Sequence, residues 1–211
     1  MSGSSQETAT KRVAIVMFND CDLLDTGGPY EVFLTASRLA ERDGATRPFE
    51  VDTITVDGEP VTAYGGLGLA PTAPPEALDD ADLVIIPGAI DLTEALADTA
   101  LAAAIKSSND RDGAILASVC TGAFLLGSVG ARDDHKWTTH WEDIDLLSTS
   151  VPTGAERGVR WVDDGTVITG GALSSGIAMS LHLVARIASQ ELADKTARQL
   201  DYDWNNTSLV G

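Results

Sequence analysis

Residues 113–130, GAILASVCTGAFLLGSVG, constrain this chain more than any other stretch. Gly113 opens a short apolar run, Ala114 to Val119, of strand length and bounded by a turn signal. After Cys120-Thr121-Gly122 the period changes. Phe124, Leu125 and Val129 fall at helical spacing, and Gly130 stands where a helix C-cap glycine would. One cysteine separates strand from helix. Such a junction is a nucleophile elbow, a sharp turn that lifts one side chain out of the sheet above the N-terminus of the next helix. Unpaired N–H groups and the positive end of the helix dipole lie there, and both favour thiolate over thiol. The alternative is a structural cysteine buried at a strand end, since free cysteine is among the most buried residue types. The elbow alone leaves both readings open.

Length and charge set the outer bounds. A chain of 211 residues is one ordinary domain with a sizeable core. It has no apolar run of about eighteen residues, so no membrane span is expected. Residues 1–10 are polar, lack a signal-peptide core and read as a short disordered tail before a domain over 11–211. Cys21 and Cys120 lie outside any CxxC or Cys/His cluster, which predicts neither a disulfide framework nor a metal or cofactor site, and a cytoplasmic location. Acidic residues outnumber basic ones 32 to 14, for a net charge of −18. That field repels nucleic acid. With only four lysines and about two aspartates per glutamate, the surface also suits a cytoplasm at high salt, where self-repulsion is screened. A halophilic source is the expectation, against an acidic mesophilic domain.

Along the chain, strands and helices alternate. Arg12 to Phe18 is a β-rich run, followed by a polar turn and a helix in which Pro29 suits the first turn and Val32, Phe33, Ala36, Leu39 and Ala40 share a face. Phe49 to Val56 alternates like a half-exposed strand, and the segments around Val61–Tyr64 and Leu67–Ala70 suggest a short hairpin. Asp82 to Gly88 is continuously apolar, as in a strand buried on both faces of a parallel sheet. A helix over Thr93 to Ser108 leads to the Cys120 strand. Beyond Gly130 come a strand candidate, His135 to His140, and a helix starting near Trp141. A hairpin turns at Asp163-Asp164-Gly165, and helices follow over Ser174 to Ser189 and Ala193 to Tyr202. The pattern predicts a doubly wound α/β sandwich, a mostly parallel sheet between helices. Ligands bind such sheets at the carboxyl ends of strands, a rule that gathers Asp25, Gly88 and Cys120 at one edge.

Five pieces in order resemble the ThiJ/PfpI superfamily over essentially the whole chain. They are Asp25-Thr26-Gly27-Gly28-Pro29, Ile86-Pro87-Gly88, Ser118-Val119-Cys120-Thr121-Gly122-Ala123, Thr138-Thr139-His140-Trp141 and Ile168-Thr169-Gly170-Gly171. The elbow and the Thr-Thr-His-Trp segment look most like the isocyanide hydratases, and also like the amidase-like domain of certain AraC-type regulators. The resemblance implies a flavodoxin-like fold of the class I glutamine amidotransferase kind, a homodimer, and a catalytic pair of Cys120 with Asp25. A carboxyl beside a thiolate feels like-charge repulsion, so it tends to keep its proton and hydrogen-bond the sulfur. The alternative for Asp25 is an acid capping a helix N-terminus.

Superfamily members with peptidase- or glyoxalase-like triads commonly place His after Cys, and here that residue is Thr121. His140 matches a position near the pocket or dimer interface, and reads better as a partly buried, hydrogen-bonded histidine. His135 and His182 look like surface and helix-face residues. Trp137, Trp141 and Trp161 suit packing, Trp141 alone having some claim as a pocket wall, and Gly28 is a further pocket candidate. Cys21 shares a turn with Asp25. The backbone N–H groups of Gly88, Ala89 and Thr121 would form the anion-stabilising hole. Ala89 stands where many hydratase-like members have a second glycine, and it restricts φ.

The implied chemistry is attack of Cys120 on an isocyanide carbon, with Asp25 as acid and base, giving an N-substituted formamide. The other classes are a glyoxalase-, deglycase- or amidase-like enzyme and a non-catalytic redox or ligand sensor. Against a transcription factor stand the acidity and the chain end at Gly211, after which no helix-turn-helix segment follows.

Overall fold

In the computed structural model the first strand, β1 (Lys11–Val16), ends in a tight polar turn and feeds the longest helix, α1 (Leu23–Arg42). The structure describes residues 9–131, 135–151, 153–204 and 209–210. The expected disordered tail therefore falls, except for Ala9 and Thr10, outside the described residues. The chain continues through β2 (Phe49–Ile54), a hairpin of β3 (Val61–Thr62) and β4 (Gly68–Leu69), a 3-10 turn (Pro75–Asp80) and β5 (Leu83–Ile86). Helices α2 (Thr93–Ala97) and α3 (Thr99–Asp110) lead to β6 (Ile115–Ser118), α4 (Gly122–Ser128) and α5 (Ile144–Ser150). The last elements are β7 (Trp161–Asp164), β8 (Val167–Gly170), α6 (Ser175–Ile187), α7 (Gln190–Gln199) and β9 (Leu209–Val210).

Seven strands form one sheet in the order β2-β1-β5-β6-β8-β7-β9. Every neighbouring pair is parallel except the β7–β8 hairpin, whose turn places Gly165 at φ +84°. Along each central strand, successive side chains go to opposite faces. Val13 and Ile15 of β1, Leu83 and Ile85 of β5 and Ala117 of β6 pack with α1, α6 and α7. Ala14, Val16, Val84, Ile86 and Leu116 pack with α3, α4 and α5 on the other face. Both faces are covered, so these strands read as unbroken apolar runs. The expected doubly wound, mostly parallel α/β sheet is what forms.

Three local expectations need correction. Helix α1 starts at Leu23, so Pro29 lies inside it rather than in its first turn. The ring's φ is helical, and proline forfeits only the bond its missing N–H would have made to the Asp25 carbonyl. The helix expected over Thr93 to Ser108 is broken at Asp98, whose carboxylate caps α3 by accepting the N–H groups of Ala100 (2.8 Å) and Leu101 (3.1 Å). Residues His135 to His140 form no strand. Only Trp137 makes a bridge, to Ala155, because the segment is pinned by side-chain bonds instead of a ladder. The edge strand β9, two residues long and parallel to β7, carries too short a signal to be read locally.

Candidate active site

The carboxyl ends of β1, β5 and β6 meet where the chain's crossovers go to opposite faces of the sheet, the place where open α/β sheets bind ligands. Cys120 follows β6 there with φ +55°, a left-handed conformation that a β-carbon disfavours. Both of its backbone groups are held from outside. Its N–H donates to the carbonyls of Gly170 (3.2 Å) and Gly171 (2.8 Å) at the end of β8, and its carbonyl accepts Thr139 Oγ1 at 2.7 Å. The elbow is therefore strained and over-determined, as the sequence pattern requires.

Two glycines let the loops come this close. A β-carbon on Gly122 would lie 2.4 Å from the Ile86 carbonyl oxygen, and one on Gly88 would lie 2.6 Å from Thr121 Oγ1. These contacts explain the glycines of the Pro-Gly and Cys-Thr-Gly pieces.

Asp25 is wholly buried in the first turn of α1. Its Oδ2 accepts the Gly88 N–H at 3.0 Å, while Oδ1 has no hydrogen-bond partner in the protein. Burial, above all, pushes its carboxyl up to about 7. The Cys120 thiol goes up to about 12, first because it is buried and then because Asp25 is near. This reverses the expectation of a stabilised thiolate. The Thr121 N–H does favour the anion, but it is outweighed by desolvation. Near neutrality the resting pair is a thiol beside a carboxyl that readily gains and loses its proton.

The expected anion hole is also corrected. The Gly88 N–H is spent on Asp25, and the Ala89 N–H donates to Thr121 Oγ1 at 2.9 Å. Thr121 Oγ1 in turn donates to the Ala89 carbonyl at 2.7 Å. These groups position the acid and lock the loop rather than offering open donors, whereas the Thr121 N–H points at the sulfur. Ala89, despite its β-carbon, bridges to Cys21.

A hollow of about 260 Å³ is lined by Thr139 and Gly171, which hold the Cys120 backbone, and by Trp141, Ile144, Arg157 and Ser175, while Cys120 and Asp25 themselves do not line it. Trp141 is 71% exposed and forms one wall. Gly28 is not in this hollow. It marks the close approach of α1 to α6, where a β-carbon would meet Ile177 Cγ1 at 3.0 Å. His140 is mostly buried beside Trp141, with Nδ1 taking the Glu142 N–H at 3.4 Å. Trp137 and Trp161 are core.

His182, expected on a helix face, lies in α6 and is buried. Its Nε2 lies 2.6 Å from Asp163 Oδ2, and Trp161 stacks on its ring. His135 is half-buried, with Nδ1 3.4 Å from Asp164. Cys21 belongs to the core layer on the other face of the sheet from Cys120, and both are free thiols.

Sequence reasoning missed Asp22 and the role of Thr139. One ligand-type atom from each of Asp22, Asp25 and Cys120 lies within 4.8 Å of the others. As a donor set for a metal this trio is poor, because a ligating thiol must lose the proton that burial makes it keep. Asp22 carried a signal, being an aspartate in the N-cap position. Thr139 carried none beyond the motif.

The fold and site define a class: a flavodoxin-like α/β protein with a strained cysteine after a central strand and a buried acid after the first. The chain belongs to the DJ-1/PfpI family, whose sequence profile matches residues 11–186. This bears out the resemblance carried by the five pieces. Isonitrile hydratase of Pseudomonas putida is 30% identical over 193 residues, 90% of this chain and 78% of that protein. The HTH-type transcriptional regulator GbdR of Pseudomonas aeruginosa is 23% identical over 94% of this chain, which spans 52% of the regulator's length. A crystal structure of a ThiJ/PfpI family protein from Pseudomonas syringae superposes with a TM-score of 0.80 at 24% identity, covering 93% of this chain and 77% of that one. At that identity the likeness concerns the fold. Among the described residues no helix is long and apolar enough to cross a membrane.

Proposed function

We propose that this protein hydrates isonitriles to N-substituted formamides without a cofactor, with Cys120 as nucleophile and Asp25 carrying the protons. The observation that supports this most is the buried, half-satisfied carboxyl of Asp25 beside the elbow sulfur, held near neutrality where it can act as base and then as acid. The similarity to an isonitrile hydratase names the substrate class.

The carboxylate of Asp25 takes the thiol proton as sulfur attacks the terminal carbon of R–N≡C. It returns that proton to the same carbon, leaving a thioimidate, R–N=CH–S–Cys. Water then adds across the C=N bond, the Asp25 carboxylate taking a proton from the water as its oxygen joins carbon and passing that proton to nitrogen. Collapse expels the sulfur as thiol and releases R–NH–CHO. Atoms balance with one water consumed. The hollow beside Thr139 receives R, and Trp141 and Ile144 suit an apolar one.

The test is formamide production from an alkyl or aromatic isonitrile at high salt, wild type beside Cys120→Ala. Cysteine-dependent product supports the reading, and full activity in the variant overturns it. A folded but silent wild type favours a second reading, a redox- or ligand-sensing protein. The likeness to a transcriptional regulator over 94% of the chain speaks for that one. Sulfinate at Cys120 in protein from oxidised cells, without turnover, would establish it. Following the superfamily resemblance, the protein acts as a homodimer.

A further inference from the structure

We infer that Asp22 is a specificity-determining residue of the Cys120 site, a carboxylate beside the sulfur that admits neutral or cationic electrophiles and turns anionic ones away. The inference rests on Cys120 being the reacting atom, as in the function proposed above.

Asp22 stands in the N-cap position of α1, where an aspartate ordinarily spends its carboxylate on the first free N–H groups of the helix. Here it makes no such bond. Its backbone is nevertheless pinned. The Asp22 N–H donates to the Gly88 carbonyl at 2.8 Å, and its carbonyl accepts both the N–H (3.3 Å) and the Oγ1 (3.4 Å) of Thr26. A carboxylate without a capping duty is thus held with an oxygen within 4.8 Å of the Cys120 sulfur and of an Asp25 oxygen. Asp25 is fully buried, whereas Asp22 is only partly so.

Nearby positive charge does little to offset it. Among the described residues, His140 is the group whose positive charge would oppose that of Asp22, and its Nδ1 is already flanked by Glu142 (3.6 Å) and Asp143 (3.8 Å). Arg157 lines the hollow, but its guanidinium is paired with Asp145. An incoming carboxylate would therefore meet Asp22, and Asp25 when ionised, at short range in a partly desolvated site, where like charges repel strongly.

The experiment compares alkylation of Cys120 by iodoacetamide, which is neutral, and iodoacetate, its anionic counterpart. The two are close in size and form the same bond, each displacing iodide by sulfur. Labelling is followed at Cys120 by mass spectrometry, and the rate ratio is divided by that for 2-mercaptoethanol in the same buffer. We expect the wild type to favour iodoacetamide beyond the small thiol, and Asp22→Asn to reduce that preference by about tenfold. Asp112→Asn removes the same unit of charge from an exposed loop at the opposite end of β6 and should leave the ratio unchanged. Should Asp22→Asn fail to fold, Asp22→Ser keeps a short polar residue at the same position.

An unchanged ratio in the Asp22 variant overturns the inference. So does an equal change in Asp112→Asn, which would place the effect in the overall charge. A folded wild type whose Cys120 takes up neither reagent also overturns it. Discrimination without isonitrile turnover would sink the hydratase reading and leave this one standing, and turnover without discrimination would do the reverse.

Discussion

Thr139 Oγ1 donates to the carbonyl oxygen of Cys120 at 2.7 Å, so the residue at the strained elbow is held by a segment nineteen positions further along the chain. Among the described residues, apart from a long 3.5 Å approach by the Ala123 N–H, this hydroxyl alone serves that buried carbonyl. Thr139→Val keeps the shape and removes the donor. It should cost about 1–3 kcal/mol in urea unfolding, the penalty for leaving a buried acceptor unmet. It should also slow alkylation of Cys120, and Thr139→Ser should restore both. Normal reactivity in the valine variant would show that the elbow keeps its shape without Thr139.

Asp25 makes stability depend on pH with a definite sign. Its folded value of about 7 lies above the ordinary 3.8. Its contribution is therefore fully present below about pH 4 and is lost as pH rises through 7. Asp25→Asn cannot ionise. It should match the wild type near pH 4 and exceed it at pH 8 by up to about 4 kcal/mol. Urea melts at pH 4, 6 and 8 would show this, and a pH-independent difference would contradict it.

Gly122 and Gly127 lie in the same short helix and should respond oppositely to alanine. At Gly122 the new β-carbon meets backbone oxygens of Ile86 and Pro87 at 2.4 and 2.8 Å. A loss of about 3 kcal/mol and a fall in Tm of roughly 6–12 °C are expected. At Gly127 the nearest atom is Val151 Cγ1 at 3.9 Å, and better helix propensity should add up to about 1 kcal/mol. Thermal melts of the two variants settle the matter.

Asp163 ties β7 to α6. It accepts from His182 Nε2 (2.6 Å), from Arg186 Nη1 (2.9 Å) and from the Gly165 N–H (3.0 Å). Burial by itself raises its carboxyl, but the His182 bond and the Arg186 charge bring it below the ordinary value. Its contribution is thus present above about pH 4 and lost as pH falls through the lower folded value. Asp163→Asn should cost about 3 kcal/mol or more at pH 7, because Arg186 loses its buried counter-charge. The difference should shrink on acidification.

The net charge of −18 predicts a salt dependence. Raising potassium chloride from about 0.1 M shortens the screening length from roughly 10 Å, so Tm should climb as surface repulsion fades. A Tm indifferent to molar salt would remove the case for a halophilic source.

Much of this architecture was legible because its causes are local. The alternation of apolar runs and helical faces, the glycine after α4 and the Asp-Gly turn between β7 and β8 all depend on near neighbours. The failures were places where distant chain took over. Asp98 broke a helix by capping its second half, and Trp137 to His140 gave up a strand because Thr169, Glu156 and Cys120 hold them by side-chain bonds. His182 looked like a helix-face residue until β7 brought Asp163 against it.

At the site the same division holds. Residue types and spacing alone determined that a cysteine would stand at a sharp strand-to-helix turn, with an acid after the first strand at the same edge of the sheet. Only the tertiary structure decided how that pair is charged. Burial, which no linear pattern reports, outweighs the helix terminus and keeps the proton on sulfur. The packing of loops that are far apart in sequence turns Gly88 and Ala89 from open donors into supports, and sets Asp22 beside the sulfur. Periodicity and turn chemistry act over a few residues, whereas desolvation and charge act through space.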